Sequence, residues 1–473
     1  MFKHGITLII LFYIGSAPYA DVYMPTGLYD LTSFKLNNGF EVYLRERHEV
    51  KNTSIRLVAK VGSDHFECGK QQIAHFLEHL LFTGTSKHTE TELDQLIEDN
   101  GGTWNAVTYT DTTIYEIDIY SQNTNLALST LYEIITDSTI TAENIEKSRD
   151  IIHSELGGEI SNYEQLFFDY GIGKSGINKS SEFILPEEAY CRQLDSATNI
   201  TRDEIINAHR KYYTPNNMAL VIVGDFDSKI IKQQIQNTFG TMVSNTVTPL
   251  PSIGHNTNQT DEIFTGTLSP VLSNDSSVYI RYKAPNQYDD DYLKLVYISI
   301  YLSRKLYNEV RIEKGLAYTA NAQISLHNRN VTTFDLSADS KIGNEDKILN
   351  TMNSVVDDFL KKPIDKIEFE KIKRGTLLNF TQMFQSNADI SSHYAESLDQ
   401  YLTVNDFIKI EALYDRITPE DVYEVAQKYL TRDKAVMVKE TPTLTYLQFY
   451  ITISILIAVL ILLTRIWINH HRK

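Results

Sequence analysis

The sequence predicts an α+β protein with two homologous domains, each an antiparallel sheet with helices packed on one face, plus one C-terminal transmembrane helix. Segments of alternating hydrophobic and polar residues, typical of half-buried strands, are followed by blocks with helical periodicity. The same order of elements occurs on both sides of residues 247–262, which are rich in Pro, Gly, Asn and Thr. That composition predicts an interdomain linker.

The elements follow a similar order in the two halves. In residues 21–246, the pattern predicts strands and helices at 40–44, 54–61, 70–83 (helix), 112–120, 124–136 (helix) and 142–160 (helix). In residues 263–440, it predicts them at 277–282, 290–312 (helix), 332–338, 344–360 (helix) and 364–384 (helix). We interpret this order as a weak internal duplication of one α+β unit.

Composition excludes several classes of protein. The chain has 473 residues, of which 42% are hydrophobic and 22% charged, so it is neither disordered nor fibrous. Its net charge of −17 disfavours nucleic acid as a partner and is compatible with basic peptides or metal ions. The two cysteines, Cys68 and Cys191, are too few to frame a small disulfide scaffold, and whether they pair stays open.

The N-terminus carries a targeting pattern. Residues 1–20 contain a basic start, an apolar stretch and then small residues, the order typical of a secretory signal peptide. An uncleaved signal anchor is the alternative, and the cleavage site stays open.

The C-terminus predicts a membrane anchor. Residues 446–464 form an apolar segment, of which the last 18 residues carry no charge, followed by a basic tail at 465–473. This length and flank predict a transmembrane helix with a cytoplasmic tail. The expected location is the inner membrane, with residues of about 21–445 on the periplasmic side. Sequons for N-glycosylation leave a eukaryotic secretory or surface membrane as the alternative.

A short motif predicts a metal site. His75 and His79 stand four residues apart in a segment without helix breakers, so a helix would place both imidazoles on one face. Glu78 lies beside them, which completes the inverted zincin pattern His-x-x-Glu-His. Two solvated or core-capping histidines are the alternative. A third ligand is required, and Glu155 is available on a predicted helix.

Further motifs accompany this one. They are Phe82-x-Gly84-Thr85, Asn100-Gly101-Gly102-x-x-Asn105-Ala106-x-Thr108, Glu155 at 76 residues after His79, Tyr213-x-Pro215-x-Asn217-Met218 with Val223-Gly224-Asp225, and Arg311-x-x-x-Gly315-Leu316-Ala317-Tyr318. Together with His-x-x-Glu-His, they resemble the pitrilysin/insulinase family of zinc peptidases, which includes mitochondrial processing peptidase. The resemblance extends over essentially all of the chain between the predicted signal peptide and the predicted transmembrane helix.

The resemblance implies a zinc metalloendopeptidase with one Zn²⁺ per chain. The ligands would be His75, His79 and Glu155, and Glu78 would be the general base for a zinc-activated water. Asn105 would orient the peptide substrate. The sequence departs from the family at residue 148, where relatives commonly carry a glutamate and this chain has Ser148. Glu159, on the same predicted helix face, is the candidate to replace that glutamate.

The resemblance also implies a partner subunit. Two such domains correspond to half of the family's clamshell, so a homodimer or a heterodimer with a related chain is expected. Arg311 and Tyr318 resemble the pair that contacts bound peptide and the oxyanion, and they would serve the zinc site of the partner. The alternatives are a non-catalytic partner subunit and a membrane-tethered peptide-binding or chaperone module.

Overall fold

The computed structural model describes residues 29–67, 69–156, 197–247, 263–328 and 331–471. The predicted signal peptide, both cysteines, Glu159 and most of the predicted linker lie outside these residues. The described residues before and after the linker form two separate sheets.

The first half contains a six-stranded sheet. Its strands are β1 (Thr32–Lys35), β2 (Glu41–Glu46), β3 (Asn52–Ala59), β4 (Thr103–Thr108), β5 (Thr113–Tyr120) and β6 (Met218–Gly224). They lie in the order β1-β2-β6-β3-β5-β4, so β4 is an edge strand. Neighbouring strands are antiparallel except β2 and β6, which are parallel, with Val42 opposite Leu220.

The helices that the structure describes in the first half pack on one face of this sheet. They are α1 (Ile73–Phe82), α2 (Glu90–Glu98), α3 (Thr124–Asp137), α4 (Ala142–Glu155), α5 (Arg202–Tyr212) and α6 (Ser228–Asn237). Their apolar sides and the facing strand residues form one core, which includes Leu57, Phe76, Leu80 and Tyr115. The predicted helices at 70–83 and 142–160 correspond to α1 and α4, and residues 157–160 lie outside the described part.

The second half contains a five-stranded sheet and a small ribbon. The sheet comprises β7 (Ile263–Leu272), β8 (Asp275–Ala284), β9 (Ala317–Asn328), β10 (Val331–Lys341) and β13 (Ala435–Leu444), and the ribbon comprises β11 (Leu402–Thr403) and β12 (Asp406–Phe407). The helices are α7 (Tyr292–Leu306), α8 (Glu345–Phe359), α9 (Lys366–Met383), α10 (Asn387–Glu396), α11 (Ile410–Arg416) and α12 (Pro419–Tyr429). The predicted helix at 290–312 is divided: after α7, residues 307–313 form a π-helical segment.

The two sheets share one topology. The order β2-β6-β3-β5-β4 in the first sheet has the same directions as β7-β13-β8-β10-β9 in the second, including one parallel pair. The prediction of an α+β protein with a repeated arrangement is therefore correct at this level. The prediction of antiparallel sheets needs one correction in each half. The last strand, β6 or β13, lies parallel to β2 or β7, because the intervening helices return the chain to the same direction.

The helices of the first half cover one face of the first sheet, as predicted, but the other face is covered as well. Its second face carries apolar residues such as Tyr43, Val58 and Val221, and these pack against Ile390 and Tyr394 of α10, a helix from the second half. All seven residues of β6 are buried, because both faces of the sheet are covered. The two halves are thus joined by a hydrophobic interface.

The C-terminal helix α13 (Tyr446–His471) contains 26 residues, and its most apolar 18-residue stretch has a mean hydropathy of 2.5. No residue of this helix is buried against the rest of the protein. By length and composition it is sufficient to cross a membrane. It extends beyond the predicted end at residue 464 and includes part of the basic tail.

Candidate metal centre

Helix α1 presents three polar side chains to a cavity because its other residues are apolar and buried. The buried residues are Ile73, Ala74, Phe76, Leu77, Leu80 and Leu81. The helical period leaves His75, Glu78 and His79 on the remaining face. The predicted geometry of the motif is therefore present in the structure.

Three potential ligand atoms converge beside α1. The Nε2 atoms of His75 and His79 are 3.1 Å apart, and Glu155 Oε2 lies 3.2 Å from the first and 3.4 Å from the second. Zinc–ligand bonds of about 2.0–2.1 Å in tetrahedral geometry place two ligand atoms about 3.4 Å apart. The donor set and its spacing therefore fit a zinc ion. Glu155 is the last residue of α4, which packs against α1.

Gln72 orients the first histidine. Its Oε1 atom lies 2.9 Å from His75 Nδ1. An amide oxygen only accepts hydrogen bonds, so Nδ1 carries the hydrogen and Nε2 directs its lone pair toward Glu155 and His79. Burial lowers the pKa of the His75 imidazole, which favours the neutral form that a metal ion requires.

Glu78 is held by a strand of the first sheet. The hydroxyl of Thr108, on β4, donates a hydrogen bond of 2.5 Å to Glu78 Oε2. The contact turns the carboxylate toward β4, beside the three converging ligand atoms. Such a carboxylate is suited to accept a proton from water.

Asn105 and Ser148 both lie near the histidine motif. Asn105 is exposed on the edge strand β4, and its side chain lines the cavity that contains Glu78. Ser148 is buried on α4 and lines a smaller cavity of about 190 Å³, together with Glu78, His79 and Asn105. The small serine side chain thus leaves space beside the histidine motif.

The main cavity lies between the two halves and has a volume of about 1230 Å³. Its lining includes the three converging residues, Glu78 and β4 from the first half, and Tyr288, Glu396 and Asp399 from the second. The Tyr288 hydroxyl donates a hydrogen bond of 3.2 Å to Asp111, which links the halves across the cavity.

Carboxylates predominate over cations in the cavity wall. Lys60 is paired with Asp399 at 2.8 Å and with Glu41 at 3.2 Å. Burial and the nearby Glu116 raise the pKa of Glu396. The lining is therefore suited to basic groups on a ligand.

Arg311 and Tyr318 contact each other but are not brought to the cavity. The Arg311 guanidinium lies 4.3 Å from the centre of the Tyr318 ring and 5.0 Å from that of Tyr307. The Tyr318 side chain is 74% exposed. Among the described residues, neither of the pair lines the cavity that holds the histidine motif.

The sequence reasoning missed the roles of Gln72 and Thr108. Gln72 lies three residues before His75 on the same helix face, a spacing that would have indicated the contact. Thr108 was recognised only as part of a motif. Nothing in the sequence indicates that its hydroxyl reaches Glu78, because the contact depends on how β4 packs against α1.

Comparison with known proteins agrees with this fold. Residues 41–171 match the family model "Insulinase (Peptidase family M16)", and residues 199–376 match "Peptidase M16 inactive domain". The zinc protease PqqE of Helicobacter pylori is 24% identical over 443 residues, covering 90% of this chain and 95% of the relative. An uncharacterized zinc protease of Rickettsia felis is 24% identical over 402 residues, covering 83% and 93%.

Solved structures are similar over nearly the same length. A protease from Helicobacter pylori superposes with a TM-score of 0.73 at 21% identity, covering 89% of this chain and all of that one. The periplasmic protease PqqL from Escherichia coli gives 0.68 at 16% identity, covering 87% of this chain and 47% of that one. The fold is that of a zinc protease. The chain belongs to the insulinase family, peptidase family M16, as the sequence motifs predict.

Proposed function

We propose that the chain is a membrane-anchored zinc endopeptidase that hydrolyses peptides or unfolded polypeptides, with Glu78 as general base. The observation that carries this proposal is the convergence of His75, His79 and Glu155, whose ligand atoms lie within 4.8 Å of one another. The three residues would hold one zinc ion.

The chain's own residues supply binding and proton transfer. Zinc bound there supplies a Lewis acid that polarises a carbonyl group and makes water more acidic. The Glu78 carboxylate, held by Thr108, takes the proton from the attacking water and returns it to the leaving amine. Asn105, exposed on the edge strand beside Glu78, orients the peptide chain.

The cavity supports an extended, basic substrate. A volume of about 1230 Å³ between the two halves accommodates several residues of a peptide but excludes a folded protein. Its carboxylates favour Lys or Arg side chains on the peptide.

Arg311 and Tyr318 support a dimer. Both carry hydrogen-bond donors suited to an oxyanion. Tyr318 is exposed and Arg311 half-buried, both outside the chain's own cavity, which is compatible with a role in the site of a second subunit. We propose a homodimer or a heterodimer with a related chain. In either dimer, the pair from one subunit completes the metal centre of the other.

Helix α13 supports anchoring in a membrane. None of its 26 residues is buried and most are apolar, which is costly in water and favourable in a lipid bilayer. The structurally similar PqqL is described as periplasmic. We propose the inner membrane, with the peptidase domains on the periplasmic side.

A non-catalytic partner subunit is the second candidate. The match of residues 199–376 to the "inactive domain" model favours it. However, that match begins at residue 199, whereas the histidine motif and Glu155 lie before it, within the residues matched by the insulinase model. The peptidase is therefore the preferred proposal.

The test is hydrolysis of a quenched-fluorescent peptide pool by the full chain in detergent, with product masses and bound zinc recorded. Glu78→Gln should retain zinc and lose about 10²–10⁴-fold in turnover. Glu98→Gln, the same substitution at an exposed residue of α2, is the control and should behave as the unmodified chain. Stoichiometric zinc without cleavage by any variant would favour the non-catalytic subunit.

A further inference from the structure

The connection between the second sheet and α13 contains no flexible spacer. Strand β13 ends at Leu444 and α13 begins at Tyr446, so Thr445 alone separates them. The Thr445 N–H donates to Gln448 Oε1 at 2.8 Å, and the Gln448 N–H donates to Thr445 Oγ1 at 3.2 Å. This reciprocal capping fixes the path by which the chain enters the helix.

Two neighbouring turns are hydrogen-bonded to this connection. The Tyr446 N–H donates to Asn274 Oδ1 at 3.3 Å, and the Ser273 N–H donates to the Leu444 carbonyl at 3.1 Å. The Ile342 N–H donates to the Asn274 carbonyl at 3.1 Å. Residues 273–275, 341–343 and 444–446 therefore form one hydrogen-bonded unit, here named the junction surface.

Strand register places the junction surface at one end of the second sheet. Leu444 lies opposite Leu272, and Lys341 lies opposite Asp275. At the same end, Ser340 pairs with Ala317, the first residue of β9, so the exposed Tyr318 also lies there. With neighbouring strands about 4.8 Å apart, the start of β9 is about 14 Å from the end of β13 along this sheet edge.

Exposed apolar side chains lie on the junction surface, where α13 begins. Ile342 is 42% exposed, Leu444 36% and Tyr446 45%. Since no residue of α13 is buried, the helix projects away from the sheet. Apolar residues and a tyrosine at this position suit the boundary between lipid headgroups and acyl chains.

We propose that the junction surface contacts the lipid bilayer directly and that α13 is rigidly connected to the second domain. This inference rests on the proposed membrane span of α13. Because one end of the second sheet then faces the lipid, Tyr318 and the adjoining Arg311 are held near the membrane surface. A partner subunit that uses this pair must hold its metal centre at the same distance from the membrane surface.

The test measures how deeply residue 342 lies in the membrane. It uses the full chain in liposomes of phosphatidylcholine and phosphatidylglycerol. In a Cys68→Ser, Cys191→Ser background, Ile342→Cys is labelled with an environment-sensitive fluorophore, and the lipids carry a nitroxide quencher below the headgroup. Leu326→Cys is the matched control, since Leu326 is also 42% exposed but lies on β9 about 26 Å from Tyr318.

We expect a blue-shifted, strongly quenched emission at residue 342 and no quenching at residue 326. A ten-residue Gly/Ser insertion after Thr445 should abolish quenching at 342 while the chain still floats with the liposomes. Flotation without quenching at residue 342 would contradict the proposed contact of the junction surface with lipid but would leave the proposed membrane span of α13 standing. Failure of the uninserted chain to float would overturn both.

Discussion

The hydroxyl of Thr108 donates a 2.5 Å hydrogen bond to the carboxylate of Glu78, although the two residues belong to a strand and a helix. This contact sets the direction of the proposed general base. The relationship predicts that Thr108 acts through the position of Glu78 and not through the metal.

Replacing Thr108 by valine should keep zinc and lower kcat about 10- to 100-fold, since a hydrogen bond to a charged group contributes about 1.5–3 kcal/mol. KM should change little. Steady-state kinetics and metal analysis measure both effects. Thr103→Val, the same change at an exposed residue of β4, is the control. Loss of zinc from the Thr108 variant would contradict a role confined to Glu78.

The proposed use of Arg311 and Tyr318 by a second subunit predicts complementation. Glu78→Gln and Tyr318→Phe should each be nearly inactive as purified. Homodimers reassembled from an equal mixture should regain about a quarter of the normal activity, because one hybrid site combines two intact halves. Mixing Glu78→Gln with Glu155→Gln is the control and should regain nothing, since both changes affect the same metal centre. Equal activity in the two mixtures would refute the proposal that Tyr318 of one subunit acts at the metal centre of the other.

Stability should fall in mildly acidic solution because of His393. Burial lowers the pKa of this imidazole on α10 to about 4, from an ordinary value of 6.5. The unfolded chain therefore binds a proton that the folded chain does not between about pH 6.5 and pH 4, and stability falls as pH falls through this window. The loss amounts to at most about 3 kcal/mol.

His393→Gln should flatten this pH dependence. Urea denaturation midpoints at several pH values measure the effect, and the two curves should run parallel above pH 7, where the imidazole is neutral in both states. Because α10 covers the second face of the first sheet, probes in that sheet should report the change. An unchanged slope between pH 6.5 and pH 4 would exclude His393 as its source.

A buried ion pair predicts a large cost within the second sheet. Arg281 Nε lies 2.8 Å from Asp335 Oδ1, and their side chains are only 7% and 4% exposed. Asp335→Asn should destabilise the protein by about 3–5 kcal/mol, because removing one partner leaves the other charge poorly compensated in the interior.

The exposed pair of Lys341 and Asp275 provides the control for that prediction. Its side chains are 75% and 62% exposed, and the pair lies on the same sheet. Asp275→Asn should leave the denaturation midpoint nearly unchanged, since exposed ion pairs contribute little. Equal shifts for the two Asp→Asn variants would contradict the role of burial.

Local features could be predicted from the sequence because they depend on neighbours along the chain. The spacing of His75 and His79 determines that a helix places both imidazoles on one face, and the apolar residues between them determine which face is buried. The same holds for the repeated order of strands and helices and for the apolar C-terminal helix. The role of the histidine motif in catalysis and that of the C-terminal helix in anchoring stay predictions.

Only the tertiary structure decided which distant residues meet. The distance of 3.2 Å between His75 and Glu155 depends on the packing of α4 against α1, and the contact of Thr108 with Glu78 depends on β4. The parallel strand pairs and the cover of the first sheet by α10 likewise escaped prediction. Periodicity reports which side of an element is apolar but not what covers that side, because many partners satisfy the same burial of apolar surface.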